Sequence, residues 1–256
     1  MQIGDPEWNR LIVNGAETLG VQVSAFHVAQ FSAHIRELLR WNRKTNLTAI
    51  TLPSEVAIKH VVDSLAIARW IHPEASVLDV GSGGGFPGIP LKILMPSLSV
   101  TLIDSSRKKN SFQRHVIRTL GLVNIAAWQT RLEALSTNPD RVRGGNPAFS
   151  AIVCRAFTDL AHFVERAMPL LAPAGMMIAM KGRISSEELA DVSSLISRLS
   201  QAGTILHSQT ISYNLPFLGA ERYLYILKVN GHELPGHSPP SNENDLGNFL
   251  LWEHPP

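Results

Sequence analysis

The sequence holds one cysteine in 256 residues. A single thiol closes no internal disulfide and builds no cysteine-rich zinc site. No run of about 18 apolar residues occurs, so no transmembrane helix is expected. The opening MQIGDPEWNR is polar and acidic, unlike the basic-then-apolar layout of a signal peptide. Charge of one sign is also scarce. Lys and Arg number 23 against 21 Asp and Glu, a net charge of +2. That balance neither requires nor excludes a nucleic-acid partner, so local clusters say more than the total. These absences point to a cytoplasmic protein.

What is present describes an ordinary soluble globule, with 45% hydrophobic and 17% charged residues. The length suits one full domain plus an extension. The chain is organised around Ser76–Pro90, SVLDVGSGGGFPGIP. An apolar run, Val77–Val80, ends in glycines and is followed by the apolar run Ile89–Met95. This pattern predicts a buried strand, a tight turn and a helix. Gly81, Gly83, Gly84 and Gly85 let the backbone turn sharply and approach a ligand closely. The helix start then points free N–H groups at whatever lies over the turn.

Two cofactor classes use such a turn. Gly83-x-Gly85-x-x-Gly88 matches the dinucleotide fingerprint, which alone has little specificity. The fuller pattern, Asp79-Val-Gly81-Ser-Gly83-Gly-Gly85, places an acid inside the strand end. A carboxylate there suits a cationic amino-acid moiety, which S-adenosyl-L-methionine (SAM) carries and NAD does not. Asp104 lies 25 residues after Asp79, at the end of a second strand. An acid at that remove suits a ribose diol. SAM is therefore the expected cofactor, with a dinucleotide and a ligand-free glycine turn as the alternatives.

Residues 1–72 read as a helical extension. Phe31, Ile35, Leu38 and Leu39 recur at helical spacing. Trp41–Asn46 then breaks the pattern. Pro53 and Glu55 suit the first turn of a helix whose apolar stripe is Ile58, Val61, Val62, Leu65 and Ala68, ended by Pro73. Residues 73–230 alternate strands and helices. Strands are predicted at Val77–Val80, Val100–Ile103, Ile125–Trp128, Ala151–Cys154, Met176–Met180, Ile205–Ile211 and Tyr223–Val229. Helices are predicted at Ile89–Met95, Lys108–Leu120, Leu160–Leu171 and Ser185–Leu199, with a short turn at Glu133–Leu135. The last two strands have no helix between them and should form an antiparallel edge hairpin. The fold expected is α/β: a Rossmann-like methyltransferase with a seven-stranded, mostly parallel sheet. Residues 231–256, with five prolines and a closing Phe249–Trp252, read as a flexible tail.

In an open α/β sheet the ligand sits past the carboxyl ends of the strands. Gly81–Phe86, Asp104, Thr130–Glu133, Arg155–Phe157 and Lys181–Gly182 all fall at such ends. Arg155 has two readings, a structural pair with an acid such as Asp159 or a contact with cofactor or substrate. Phe86 reads as packing on the cofactor or as core, and Glu133 as a cofactor contact or a solvated helix-start acid. His60 and Asp63, three apart on a helix face, are too few to hold a metal, and no metal is expected.

Leu78–Leu91, preceded by WNRKTNLTAI (Trp41–Ile50) and KHVVDSLA (Lys59–Ala66), closely resembles the bacterial small-subunit rRNA methyltransferases of the RsmG, or GidB, family. The resemblance runs from about Trp41 to Val229. It implies SAM contacts at Gly81, Phe86, Leu132 with Glu133, and Arg155. The family usually shows Arg-Ala-Glu where this chain has Arg131-Leu132-Glu133, so the middle contact is expected through the backbone. With the pattern above, the expected cofactor set is Asp79, Gly81, Gly83, Gly85, Phe86, Asp104, Leu132, Glu133 and Arg155. Arg155 and Lys181 are candidates for positioning the substrate. The resemblance further implies 7-methylguanosine formation in the decoding-region loop of 16S rRNA.

The remaining chemistry is compatible with that product. Guanine N7 has a lone pair and needs no general base. Pyrimidine C5 methylation needs a nucleophilic cysteine, and Cys154 sits in an apolar strand. An amino-nitrogen methylase typically carries Asn/Asp-Pro-Pro-Phe/Tyr after strand 4, where this chain has Cys154–Phe157. Two basic clusters are candidates for RNA: Arg43 and Lys44, after Arg36 and Arg40, and Arg107 and Lys108, before Arg114 and Arg118. The other reading of the second cluster is a solvated helix face. The partner expected is 16S rRNA or the small ribosomal subunit, with no membrane. Two competing functions stay open, an NAD(P)-dependent oxidoreductase and a non-enzymatic RNA-binding assembly factor.

Overall fold

The computed structural model describes residues 1–137, 149–155, 159–201, 204 and 206–229. The expected contact at Ala156–Phe157, the residues Ile205 and Asn230, and the tail 231–256 lie outside the described residues.

The chain opens with α1 (Pro6–Thr18) and α2 (Ala25–Thr45). Asp5 caps α1, its carboxylate accepting from the Trp8 N–H at 2.8 Å, and Pro6 fills the first turn. Ser24 and His27 form a reciprocal cap on α2. The polar stretch at Trp41 does not break α2 as the sequence predicts. The helix continues because Trp41 packs against Phe112 and His115, and it ends at Asn46, whose φ is 44°. α3 (Pro53–Val56) runs directly into a π-helical turn, Ala57–Val62, and then α4 (Asp63–Leu65). The apolar stripe locates this rod but not its π turn.

Seven strands follow: β1 (Ser76–Val80), β2 (Ser99–Asp104), β3 (Ile125–Gln129), β4 (Phe149–Arg155), β5 (Leu171–Lys181), β6 (Leu206–Leu215) and β7 (Ala220–Val229). Between them lie α5 (Gly88–Leu94), α6 (Arg107–Thr119), α7 (Leu132–Ser136), α8 (Leu160–Ala167) and α9 (Ser186–Gln201). The sheet order is β3-β2-β1-β4-β5-β7-β6. Every pairing from β3 to β5 is parallel, and β7 runs antiparallel to both neighbours. The predicted hairpin is present, with β7 inserted beside β5 and β6 at the edge.

The period-2 alternation of each strand sorts its side chains onto two cores. Val77, Val100, Leu102, Val153, Ile178 and Ile226 face one side, with α1, α2, the rod from Pro53, α5 and α6. Leu78, Val80, Ile152, Cys154, Met177 and Leu227 face the other, with α7, α8 and α9. The N-terminal helices are thus packed into the sheet's core: Trp8, Phe31 and Leu38 are fully buried in the first cluster. No helix among the described residues is long and apolar enough to cross a membrane.

Candidate functional site

β1 ends at Val80 and the glycine turn begins. Gly81, Gly83 and Gly85 all take positive φ, 68°, 55° and 88°. Only glycine adopts such angles without strain. The glycines differ in what surrounds them. Among the described residues a Cβ on Gly81 would meet nothing within 4 Å, and one on Gly83 would meet only the Gly81 carbonyl at 3.8 Å. A Cβ on Gly85 would lie 2.3 Å from Ile89, and one on Gly88 would lie 2.4 Å from Leu102 and 2.7 Å from Asp79. Gly81 and Gly83 therefore open on free space, while Gly85 and Gly88 permit packing. Gly85, expected as a cofactor contact, has the packing role on the side where a Cβ would point. The open pair belongs to the Asp-x-Gly-x-Gly pattern, not to the Gly83-x-Gly85-x-x-Gly88 register.

Four buried polar side chains fix the turn. Asp79 accepts from the Gly88 N–H at 2.8 Å, at the start of α5. It is fully buried, and among the described residues its Oδ1 has no hydrogen-bond partner. Burial pushes its carboxyl up to about 7. Asp104, at the end of β2, accepts from Gly83 N–H at 3.0 Å and Ser106 N–H at 2.8 Å. Gln113 of α6 donates to the Ser82 hydroxyl at 2.9 Å and the Gly83 carbonyl at 2.8 Å. His34 of α2 meets the Gly84 carbonyl at 2.8 Å through Nε2, which must carry the proton. Burial lowers its pKa to about 4, so the ring is neutral.

Beside the turn, Arg155 leaves the end of β4 toward the π turn. It donates to the Lys59 carbonyl at 3.0 Å, and its Nη2 lies 3.2 Å from His60 Nδ1. A guanidinium only donates, so Nδ1 is the acceptor and Nε2–H faces Thr48 Oγ1 at 2.8 Å. Burial, then the Arg155 charge, lowers the His60 pKa to about 3. Arg155 also lies 3.8 Å from Asp63. The structural partner expected, Asp159, instead caps α8 through the His162 N–H at 3.0 Å. Asp63 further accepts from the Tyr213 hydroxyl at 2.8 Å and lies 3.8 Å from Arg222. Burial raises its pKa, and Arg155, Tyr213 and Arg222 oppose that rise. His60 and Asp63 are committed to these neighbours. Among the described residues no group of three or more His, Cys, Asp or Glu is arranged to hold a metal.

Phe86 is only 3% exposed, and both faces of its ring are covered. His34 stacks at 4.8 Å and His60 at 4.6 Å between centroids, with Arg155 5.0 Å from the ring centre. Side-chain stacking on a cofactor is not open to it in this arrangement. Leu132 buries its side chain in the second core, leaving its backbone at the strand end. Glu133 is half-exposed and its Oε1 lies 3.2 Å from His162. Lys181 is bound to Glu188 of α9. Alternation separates it from Arg155: Met180 faces the first core and Ala179 the second, so Lys181 points with Ala179. The structure does not bring these two candidates together.

Arg43, Lys44, Arg107 and Lys108 are exposed, at the end of α2 and the start of α6. Sequence reasoning missed Gln113, His34, Tyr213 and Arg222. Strand parity could have found Arg222, because even-numbered Leu224 and Ile226 face the same core as Arg155. Nothing local marks Gln113 or His34, whose partners lie 30 to 50 residues away.

Comparisons with known proteins agree with this geometry. Residues 27–211 match the family model for rRNA small subunit methyltransferase G, named GidB. The chain is 43% identical over 215 residues to a protein named ribosomal RNA small subunit methyltransferase G from Geobacter sulfurreducens, covering 84% of this chain and 94% of that one. It is 39% identical over 220 residues to the protein of that name from Geobacter sp. (strain M21), covering 86% and 97%. Among solved structures it resembles an O-methyltransferase from Bacillus cereus in complex with SAH, with a TM-score of 0.55 and 16% identity over 88% of this chain and 99% of that one. That last likeness shows the Rossmann-like methyltransferase fold.

Proposed function

The chain belongs to the rRNA small subunit methyltransferase G family, and on that footing we propose that it methylates N7 of a guanine in the decoding-region loop of 16S rRNA. The enzyme class, the SAM cofactor and the small-subunit rRNA substrate follow from the family. The target atom, the site residues and a cytoplasmic location are our reading.

One observation carries it: the strand ends present open space above Gly81 and Gly83 beside histidines and a cysteine that are not free to act as base or nucleophile. His34 and His60 are buried, neutral and engaged by the Gly84 carbonyl, Thr48 and Arg155. Cys154 is 1% exposed, and burial pushes its thiol well up, so a thiolate nucleophile is disfavoured. Guanine N7 attacks with a lone pair it already has, and alignment is the main requirement.

The residues present fit SAM. Gly81 and Gly83 provide the opening, and Asp104, at the end of β2, suits the ribose hydroxyls. Asp79, with one unpartnered buried oxygen, suits the amino group from beneath the turn. Leu132 through its backbone and Glu133 through its half-exposed carboxylate would complete the cradle. Phe86 would act by holding the turn between the two histidine rings, and Arg155 by bordering the substrate side. When bound, the cofactor supplies an electrophilic methyl group on a sulfonium. The protein holds the acceptor in line with it and excludes water.

The test is mass spectrometry of nucleosides from small-subunit RNA that lacks the modification, incubated with the protein and SAM. 7-Methylguanosine at one loop position is expected. Another methylated nucleoside would overturn the N7 assignment and keep the cofactor. SAM binding without methyl transfer to RNA or subunit would favour the assembly-factor reading.

A further inference from the structure

No motif in the sequence marks Arg222, yet its surroundings are those of a ligand-binding group. It sits near the start of β7, one residue before Tyr223, which pairs with Lys181 at the end of β5. It therefore stands at the strand ends that carry the glycine turn and Arg155. Its Nε lies 3.8 Å from Asp63, as does Nη1 of Arg155. Among the described residues Asp63 is the only carboxylate within ion-pair distance of either guanidinium, so one negative charge serves two positive ones.

The neighbouring charges do not offset the excess. Lys59 is matched by Glu55 at 2.6 Å, and Lys181 by Glu188. Glu221 alternates to the opposite face of β7 from Arg222, whose Nη1 donates to the Glu221 backbone carbonyl at 3.2 Å. Asp79, at the β1 end, acts on Arg155 only from beyond ion-pair distance, with one oxygen on the Gly88 N–H. His60 carries no charge near neutrality. Arg222 is also approachable. Its side chain is 25% exposed, against 8% for Asp63. Among the described residues a Cβ on Gly182 would meet only Arg222 Nη1, at 3.8 Å, so none of them fills the space beside the guanidinium.

An anion belongs there. Two sources are available in this reaction, a phosphate of the RNA and the carboxylate of the cofactor's methionine. The sheet order favours the phosphate. β7 is three strands from β1, about 14 Å at the usual strand spacing. β4, which carries Arg155, lies next to β1. Arg155 is placed for the cofactor end and Arg222 for what extends beyond it. We propose that Arg222 binds a backbone phosphate beside the target nucleotide, with Asp63 holding the two guanidiniums in register. This rests on the RNA-methylating reading above.

The experiment compares the full-length wild type with Arg222→Gln and Arg222→Lys. RNA affinity is measured across a salt series with unmodified small-subunit RNA, and SAM affinity by calorimetry. For Arg222→Gln we expect roughly tenfold weaker RNA binding and a salt slope reduced by about 1, with SAM affinity within about twofold of wild type. Arg222→Lys, which keeps the charge, should keep the slope, and it carries the test if the Gln variant does not fold. Weaker SAM binding with an unchanged salt slope would assign the guanidinium to the cofactor's carboxylate and overturn the proposal. Unchanged RNA and SAM binding would reduce Arg222 to a structural partner of Asp63 and also overturn it. The binding arms need no methyl transfer. Failure of the N7 reading would appear separately, as the wrong nucleoside or none from the wild type.

Discussion

His34 and Gly84, 50 residues apart in sequence, are joined by a buried hydrogen bond of 2.8 Å from the imidazole Nε2–H to the glycine carbonyl. Through it, α2 grips the glycine turn proposed to hold the cofactor. The bond makes the site sensitive to acid. The folded pKa values of His34, about 4, and His60, about 3, lie below the ordinary 6.5. Between those values the unfolded chain binds more protons than the folded one, so stability falls as pH drops below 6.5. Asp79 acts in the opposite sense. Its raised value, about 7, makes the folded chain the tighter proton binder from about pH 4 to 7. Asp63, also raised by burial, adds to Asp79, and His27, also lowered by burial, adds to the two buried histidines. The histidines outweigh the carboxyls, so the melting temperature should fall from pH 6.5 to pH 5. His34→Asn should flatten that slope. A melting temperature that rises over this interval would show that the carboxyls dominate.

Gly83 and Gly88 separate ligand space from packing space. Gly83→Val should abolish SAM binding while the chain still folds, with about 1–2 kcal/mol lost to the left-handed backbone. Gly88→Ala should instead lower stability, because its methyl meets Leu102 and Asp79. Calorimetry and thermal unfolding on both variants check this. SAM affinity retained in Gly83→Val would move the cofactor away from the turn.

Much of this was legible in the sequence because strands and glycines write short-range signals. The seven strands, the edge hairpin and the convergence at the strand ends all follow from apolar or mixed runs of four to seven residues. The two ends of the Asp104–Gly83 link were also visible, as an acid closing a strand and a glycine in the turn. The His34–Phe86–His60 stack was not. It depends on how α2 and the π turn close over the sheet, and no local pattern encodes that approach. Phe86 read from its position after the glycines as cofactor packing or as core, and its stacking on two histidine rings was not part of either reading. Arg155 found its acid in Asp63, 92 residues upstream, and not in the nearby Asp159. Sequence proximity was the wrong guide because β4 hands Arg155 to the helical side of the sheet.

Arg107 and Lys108 open α6 with exposed side chains. Positive charge at a helix N-terminus opposes the macrodipole by a few tenths of a kcal/mol, so the pair does not stabilise α6. A phosphate contact would account for it. Arg107→Glu with Lys108→Glu should weaken rRNA binding and reduce its salt dependence, and leave SAM affinity and the melting temperature close to wild type. Unchanged RNA affinity would return this cluster to an ordinary solvated face.

Asp63 should be the least replaceable residue of the buried network. Its carboxylate accepts from Tyr213 and stands against Arg155 and Arg222. Asp63→Ala leaves a buried guanidinium without its counter-charge, which costs about 3–5 kcal/mol. Tyr213→Phe removes one hydrogen bond to a charged acceptor and keeps the ring, which costs about 1.5–3 kcal/mol. The two losses should not add, because removing Asp63 already removes the bond that Tyr213 makes. Chemical denaturation of both single variants and the double variant measures this directly. A double variant close to Asp63→Ala alone places Tyr213 and Asp63 in one unit with Arg155. Simple additivity would mean that the hydroxyl contributes elsewhere, and that the helical rod and the edge hairpin hold Arg155 independently.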